Sequence, residues 1–313
     1  MSNKINLATT QTTTSNYAGE AGSIFGVAWK EGDTLSRGLI STMENVNYTA
    51  NLRKLSYSNG TSSYSCGFVP AGAIVASEKQ IVPKKFMNPF QICKEEYRQT
   101  WSEKSMGSSA SNPNAPSDII EAMQLQVLQS QASKIDDDIW QGDSANDSEF
   151  DGFIKLFTAD AAIIKDGNGV TGPGHSVSES TVEADLKLAL AAIPTSLRRK
   201  ELKVIVSSDV FQAYIFMLIS KGIAWNGTAD DKSAKFGKYM LEEVGGLPDD
   251  TIVIYEKENL VAAYGSEADF NSLEIVDEDS IGLLTGQVRG KMVYNFGVNY
   301  FNSAEIVYLL LTT

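Results

Sequence analysis

Nothing between Asp118 and Gln141 breaks a helix: 24 consecutive residues carry neither glycine nor proline, and Gly142 follows where a helix would stop. Asp118, with Glu121 three residues later, makes a capping-box-like start. A rod of that length spans about 36 Å, so the rest of the chain must be arranged along it. Ile120, Met123, Val127, Ile135 and Ile139 recur at helical spacing with Leu128 and Ala132 beside them, which predicts one apolar stripe. Gln124, Gln126, Gln129, Gln131 and Lys134 are expected on the other faces. Asp136, Asp137 and Asp138 fall near the C-terminal end, where the helix dipole disfavours each anion by about 0.3 kcal/mol. Basic side chains of another copy would relieve that misfit.

Upstream, Tyr48, Ala50 and Leu52, and less strictly Leu55, sit among polar neighbours before Asn59-Gly60, the strongest short hairpin signal. The return strand is expected through Cys66, Phe68 and Val69 to Val75. A two-stranded ribbon of that length is marginal in water by itself. Its order must come from outside, and another molecule is the natural source. Lys79 to Phe86 and Phe90 to Cys93 read as strand re-entering the body, bounded by Pro83 and Pro89. Glu95 to Trp101 reads as a short helix and Ser105 to Pro116 as a flexible spacer before the rod.

Residues 1–23 hold too few large apolar side chains to fold alone, and residues 24–29 form a first apolar patch that would anchor such an arm. After Gly142 the expected order runs as follows: strand or buried-turn pieces at 153–157 and 161–164, a helix at 182–193, a strand at 202–206, a Ser208-capped helix at 209–220, and strands at 251–255 and 260–264. This is an α/β unit. The end is strand-rich, at 273–276, 290–300 and 304–311, and Met292, Tyr294, Phe296, Val298 and Tyr300 alternate with small or polar residues as on a half-buried strand.

Composition excludes several function classes. A hydrophobic fraction of 42% over 313 residues is ordinary for a globular chain. The longest apolar run, Val210 to Ile219, is interrupted by Gln212 and falls short of the roughly 18 residues that a membrane span needs. The N-terminus lacks a secretory h-region, so a cytoplasmic protein is expected and the sequons at Asn47, Asn59 and Asn226 carry no meaning. Cys66 and Cys93 lack metal-site spacing and are expected as small buried or interface side chains. A formal charge of −13 argues against gripping nucleic acid. Its distribution is uneven: residues 51–110 hold eight basic and four acidic side chains, while the body is acidic. A basic protrusion on an acidic body suggests docking between copies.

No catalytic constellation appears. The single histidine, His175, lies in a Gly-Pro-Gly-His loop without nucleophile or metal partners. Gly167 to Gly172 matches G-x-G-x-x-G, but Pro173-Gly174 follows where a phosphate-binding helix should open. The carboxylates at Glu242-Glu243, Asp249-Asp250 and Asp277-Glu278-Asp279 read as solvated turns. No catalytic, cofactor-binding or metal residue and no cofactor is expected.

The ordered series of arm, Asn59-Gly60 loop, helix ending Ile139-Trp140-Gln141-Gly142-Asp143, α/β unit with its Gly246-Leu247-Pro248-Asp249 turn, and closing strand with Gly297-Val298-Asn299-Tyr300 resembles the major capsid proteins of tailed double-stranded DNA phages, the HK97-type shell fold. Phe90 through Trp101 more weakly resembles capsid proteins of phages infecting Bacteroidetes. The resemblance implies an α+β chain divided into an N-terminal arm (1–44), an extended E-loop with flanking strands (45–100), a peripheral domain with a spine helix at 118–141 (101–160), an axial domain (161–270) and return strands (271–313). It implies a virion shell of hexamers and pentamers, assembled in the bacterial cytoplasm, that encloses DNA without binding it strongly. E-loops would lie over adjacent subunits, and portal, scaffolding and decoration proteins would be further partners. The start of the chain lacks a long helical extension, so a separate scaffold or a processed chain is expected. Some relatives join a loop lysine to a neighbour's asparagine; Lys54 and Lys79 are the candidates by position, without a supporting motif. Arg53, Lys54, Asn59, Gly60, Lys84 and Lys85 on the basic side and Asp136, Asp137 and Asp138 on the acidic side are the expected assembly contacts. Two rival readings stand beside this one. An encapsulin-like nanocompartment shares the fold, and an α/β enzyme with a long lid belongs to another class.

Overall fold

The computed structural model describes residues 33–58, 60, 61, 63, 64, 66, 72–93, 117–165, 176–223, 232–266, 273–279, 281–283 and 285–310, with the side chains of Asp33 and of 117–125 outside that description. The elements in chain order are α1 (Asp33–Ser36), β1 (Ser41–Met43), β2 (Ala50–Ser58), β3 (Ala73–Ile81), β4 (Lys84–Cys93), α2 (Ser117–Gln141), α3 (Phe153–Ala159), α4 (Val182–Ala191), β5 (Leu202–Val206), α5 (Ser208–Ser220), β6 (Ser233–Phe236), β7 (Tyr239–Glu243), β8 (Thr251–Glu256), β9 (Leu260–Tyr264), β10 (Glu274–Asp277), β11 (Gln287–Tyr300) and β12 (Ile306–Leu310). The apolar patch at 24–29, the expected helix at 95–101, the glycine-rich match at 167–172 and His175 lie outside the described residues.

One sheet is organised by the 14-residue strand β11. On one edge it pairs antiparallel with β4, from Gln287↔Cys93 to Phe296↔Lys84. Its other edge takes β10 at Glu274↔Lys291 and then β9 at Tyr300↔Leu260, with β1 added parallel to β9. The alternation read from the sequence holds: Val288, Met292, Tyr294, Phe296, Val298 and Tyr300 are all buried. Pro89 falls inside β4 rather than at its boundary, which is tolerated because β4 has no strand on its far side among the described residues. A second sheet runs β12-β8-β5-β7-β6 and is packed by α4 and α5. The sheets exchange strands: β9, from the sequence region of the α/β unit, belongs to the first, and the closing strand β12 belongs to the second.

The helix α2 forms over Ser117–Gln141 as the unbroken run requires. Its buried stripe is Leu128, Ile135 and Ile139, with Trp140 fully buried at the end and Ala132 partly covered. Gln131, expected on an outer face, is buried instead: Nε2 donates to the Tyr294 hydroxyl at 2.6 Å and Oε1 accepts from Asn88 at 2.8 Å. A polar residue is tolerated there because both ends of its amide are satisfied. Residues 153–157, expected as strand or turn, form α3, whose Phe153 and Phe157 carry an aromatic chain through the core. Trp140 meets Phe153 at 5.4 Å between centroids, and Phe157 meets both Tyr300 and Tyr308 at 5.7 Å. That chain ties the helix end to both sheets.

Candidate assembly surface

The ribbon β2–β3 is held to the body only at its base. Ala50 pairs with Ile81 and Ser58 with Ala73, so the connection runs from 59 to 72. The tight turn expected at Asn59-Gly60 is therefore corrected: Ser58 pairs with Ala73 rather than with a residue just past Gly60, while Asn59 and the expected return-strand residues Phe68 and Val69 lie outside the described residues. Leu52 and Ile81 are buried against Val46, Val261 and Ala263. Lys79 stacks over the Tyr300 ring at 3.4 Å and lies 3.5 Å from Asp160, whose Oδ2 accepts the Tyr300 hydroxyl at 2.7 Å. Asp160 is held below the usual carboxylate range, first by that hydroxyl and then by the Ala162 N–H, whereas burial lowers Lys79 more than Asp160 raises it. The two directions disagree about the ion pair. The hydroxyl and amide bonds hold Asp160 more firmly than the ion pair does, because the lysine loses more to burial than it gains from the carboxylate. Lys79 is thus occupied within its own subunit.

Base included, nine residue pairs of ribbon extend for about 30 Å. Period-two alternation puts Leu52, Lys54, Ser56, Ser58, Val75, Ser77, Lys79 and Ile81 on the face that carries the buried base. The opposite face carries Arg53, Leu55 and Tyr57 across from Glu78, Ala76 and Ile74. On it Leu55 is 73%, Tyr57 65% and Ile74 74% exposed, and the Arg53–Glu78 ion pair at 2.8 Å closes one end of the patch. Single exposed hydrophobics are ordinary, but paired ones on an unsupported ribbon mark a surface made for a partner. Sequence reading singled out the charges of this segment and missed these three side chains. The i, i+2 spacing of Leu55 and Tyr57 was the available signal.

The expected contacts separate by burial. Arg53 is paired with Glu78 across the ribbon, and Lys54 is half-buried on the base-bearing face. Lys84 donates to the carbonyls of Asn146 and Glu149 at 3.3 and 3.0 Å, so its ammonium is spent inside the subunit. Lys85, beside it, is exposed. Asp136 is buried and accepts the Thr34 N–H at 3.0 Å, while Trp140 Nε1 donates to the Thr34 hydroxyl at 2.8 Å. Asp138 is buried against Lys134 at 3.1 Å, and burial pushes its carboxyl up despite that cation. Asp137 alone of the triplet is exposed. The misfit of anions at the helix end is thus met within the subunit at Asp136 and Asp138. Neither is presented to a neighbour.

The acidic turns read as solvated also need correcting. Glu242 is buried and accepts from Arg37 at 2.9 Å and from Lys203, joining the 33–40 stretch to β7 and β5. Glu278 is buried against Arg289 at 2.8 Å, and Asp250 is buried in the β7–β8 turn. Cys66 is exposed and Cys93 half-buried, so neither is a core residue. Among the described residues no cluster of His, Cys, Asp and Glu has the arrangement of a metal site, and no helix is long and apolar enough to cross a membrane.

A second apolar surface lies on α5, where Phe216, Ile219 and Ile223 are exposed at helical spacing. Gly222 ends that helix at φ 69°, with its N–H bonded to Ile219 O and the Ile223 N–H to Leu218 O, the pattern of a Schellman cap. The cap turns Ile223 back alongside the stripe. Next to it Glu183 is held down to about 2 by Lys187 and Lys221.

Several solved shells are similar in fold to this chain. The capsid of a native GTA particle matches at TM-score 0.60 and 13% identity, over 90% of this chain and 91% of that one. A chain of the satellite phage P4 procapsid matches at 0.54 and 13%, over 93% and 99%. Gordonia phage Cozz gives 0.56 and 10%, over 88% and 86%. The chain has the HK97-type capsid fold. No family model and no curated protein matches the sequence, so the likeness is carried by the fold.

Proposed function

We propose that this chain is a major capsid protein, which assembles as hexamers and pentamers into an icosahedral shell around phage DNA. The observation that carries the reading is the ribbon: nine paired residues long, anchored at one end, with Leu55, Tyr57 and Ile74 uncovered on the face turned away from its anchor. A protruding element whose distal half is exposed on both faces is understandable if a second copy covers it. Likeness in fold to GTA and phage capsids supports that reading. The role is structural. Repetition of one modest contact by closed symmetry gives a stable shell without any strong single interface. Exposed Lys85 stands out from an acidic body and adds register to that contact. The net charge of −13 keeps the inner wall from gripping DNA. Portal, scaffolding and decoration proteins are the further partners of such a shell, within the virion and the bacterial cytoplasm where it is built.

A virus-like particle from Pyrococcus furiosus shares the fold at TM-score 0.50 and 10% identity, over 92% of this chain and 96% of that one. A shell for protein cargo is therefore the second reading. Electron microscopy of the purified chain tests the shared part: closed shells, capsomers or tubes are expected, and a monomer that persists at high concentration refutes it. Particles recovered from the native source decide the cargo. Nuclease-protected double-stranded DNA is expected, and an encapsulated enzyme in its place refutes the phage assignment.

A further inference from the structure

The β7–β8 turn brings two carboxyl groups together at a place the assembly surface does not use. Asp250 is buried and has a left-handed backbone, at φ 57°. Its N–H donates to Asp209 Oδ2 at 2.8 Å, and its own Oδ1 accepts the Val177 N–H at 2.7 Å. Asp209 sits in the first turn of α5, where the helix dipole favours an anion. Its second oxygen, Oδ1, is shut off from solvent and has no donor. A buried anionic oxygen without a donor is costly, and two carboxylates in one site resist being ionised together. A proton on the free oxygen of Asp250, donated to Asp209 Oδ1, removes both difficulties at once.

We infer that Asp250 holds a proton on its free oxygen and donates it to Asp209 Oδ1, and that this hydrogen bond closes a clasp joining residues 176–178, the start of α5 and the β7–β8 turn. Asp249, in the same turn, is the third carboxyl acting on the pair; the 176–178 stretch brings two serines and a valine, and β8 brings Thr251. Among the described residues no lysine or arginine is ion-paired with any of the three aspartates. Burial pushes Asp250 up, with Asp209 and Asp249 adding to it and the Val177 N–H opposing. The sign follows from linkage. With its folded value raised above the ordinary Asp value, the folded chain keeps a proton that the unfolded chain has lost. Stability is greatest below the ordinary Asp range and falls as pH rises through the raised value. Protons therefore lock this corner of the α/β unit, and deprotonation sets two anions against each other and loosens the hold on Val177. The inference stands apart from the shell reading, since it concerns one subunit.

Asp250→Asn imitates the protonated acid: its amide can donate to Asp209 while its oxygen accepts from Val177, and asparagine tolerates the left-handed backbone. The full chain and the variant are unfolded in urea from pH 4 to pH 8, and exchange of the Val177 amide is followed in both. The expected result is that the folding constant of the wild type falls relative to the variant by up to about tenfold per pH unit within the window. Val177 exchange should rise with pH faster in the wild type than in the variant after correction for the intrinsic pH dependence. Parallel stability curves with parallel exchange overturn the inference. If Asp250→Asn does not fold, Asp209→Asn takes its place, and the same flattening is required of it.

Discussion

Replacing Leu55 and Ile74 together by serine separates assembly from folding. Leu55 and Ile74 are 73% and 74% exposed on the outward ribbon face, so the isolated subunit loses almost no burial when they are removed. Fully burying such a side chain is worth about 1.5–3 kcal/mol, and three quarters of that remains to be gained at a contact, so each contributes about 1–2 kcal/mol. The pair contributes about 3 kcal/mol to each subunit contact, which at roughly 1.4 kcal/mol per decade raises the critical concentration for assembly about 100-fold. The assay is light scattering against concentration with electron microscopy of the products, beside circular dichroism and thermal unfolding of the unassembled chain. Unfolding should shift by no more than about 0.5 kcal/mol. A variant that assembles at the wild-type concentration refutes the assignment of this face. So does one that fails because the subunit itself unfolds, since the argument rests on those side chains being idle in the monomer.

Three further outcomes follow from contacts inside the subunit. Lys85→Glu should weaken assembly in a salt-dependent way with folding intact, as read by scattering at low and high salt. Reversing Lys84 as well confuses that test, because Lys84→Glu sets a carboxylate against the Asn146 and Glu149 carbonyls. Tyr294→Phe strands the buried Gln131 amide donor and should lower urea stability by about 1–3 kcal/mol. Gly246→Ala should cost about 1–3 kcal/mol in thermal unfolding, because its Cβ would lie 2.5 Å from the Asp136 carbonyl oxygen, where backbone cannot yield.

How much of this was legible depends on whether a feature is local. The rod at Ser117–Gln141 and the alternation in β11 are written in consecutive residues, and both formed as read. The strand at Leu202–Val206 matched for the same reason. The ribbon was legible as an extended excursion, but its turn was not. Asn59-Gly60 is a strong local hairpin signal, yet the register is set by Leu52 and Ile81 at the far end, where burial on β9 outweighs the turn. Charges were the least legible. Glu242 and Asp250 read as solvated, and Lys84 and Asp136 as contacts to a neighbour, because their partners stand far away along the chain, Asp136 meeting Thr34 and Glu242 meeting Arg37. The strands β6 and β7 were missed because Ser233–Phe236 and Tyr239–Glu243 are short and mixed in polarity, and their pairing comes from β5.

Taken together, these contacts divide the molecule's energetics into two parts. The 33–40 stretch is locked to the body by Arg37 on Glu242, by the Tyr255 hydroxyl donating to Leu39 O at 2.8 Å, and by Asp136 on Thr34, all buried or half-buried. The base of the ribbon is locked by Leu52, Ile81 and the Asp160–Tyr300 pair. Neither lock involves the outward face, so the subunit can fold completely while Leu55, Tyr57 and Ile74 remain in water. A patch of three side chains is too small to hold two free subunits together for long, given the several kcal/mol lost when two bodies become one. It becomes sufficient when each copy both offers a ribbon and receives one, because the last contact of a closed ring forms between subunits already held in place. By that arithmetic the proposed shell would be held by many contacts that are each too weak alone, while folding of the subunit rests on its two internal locks.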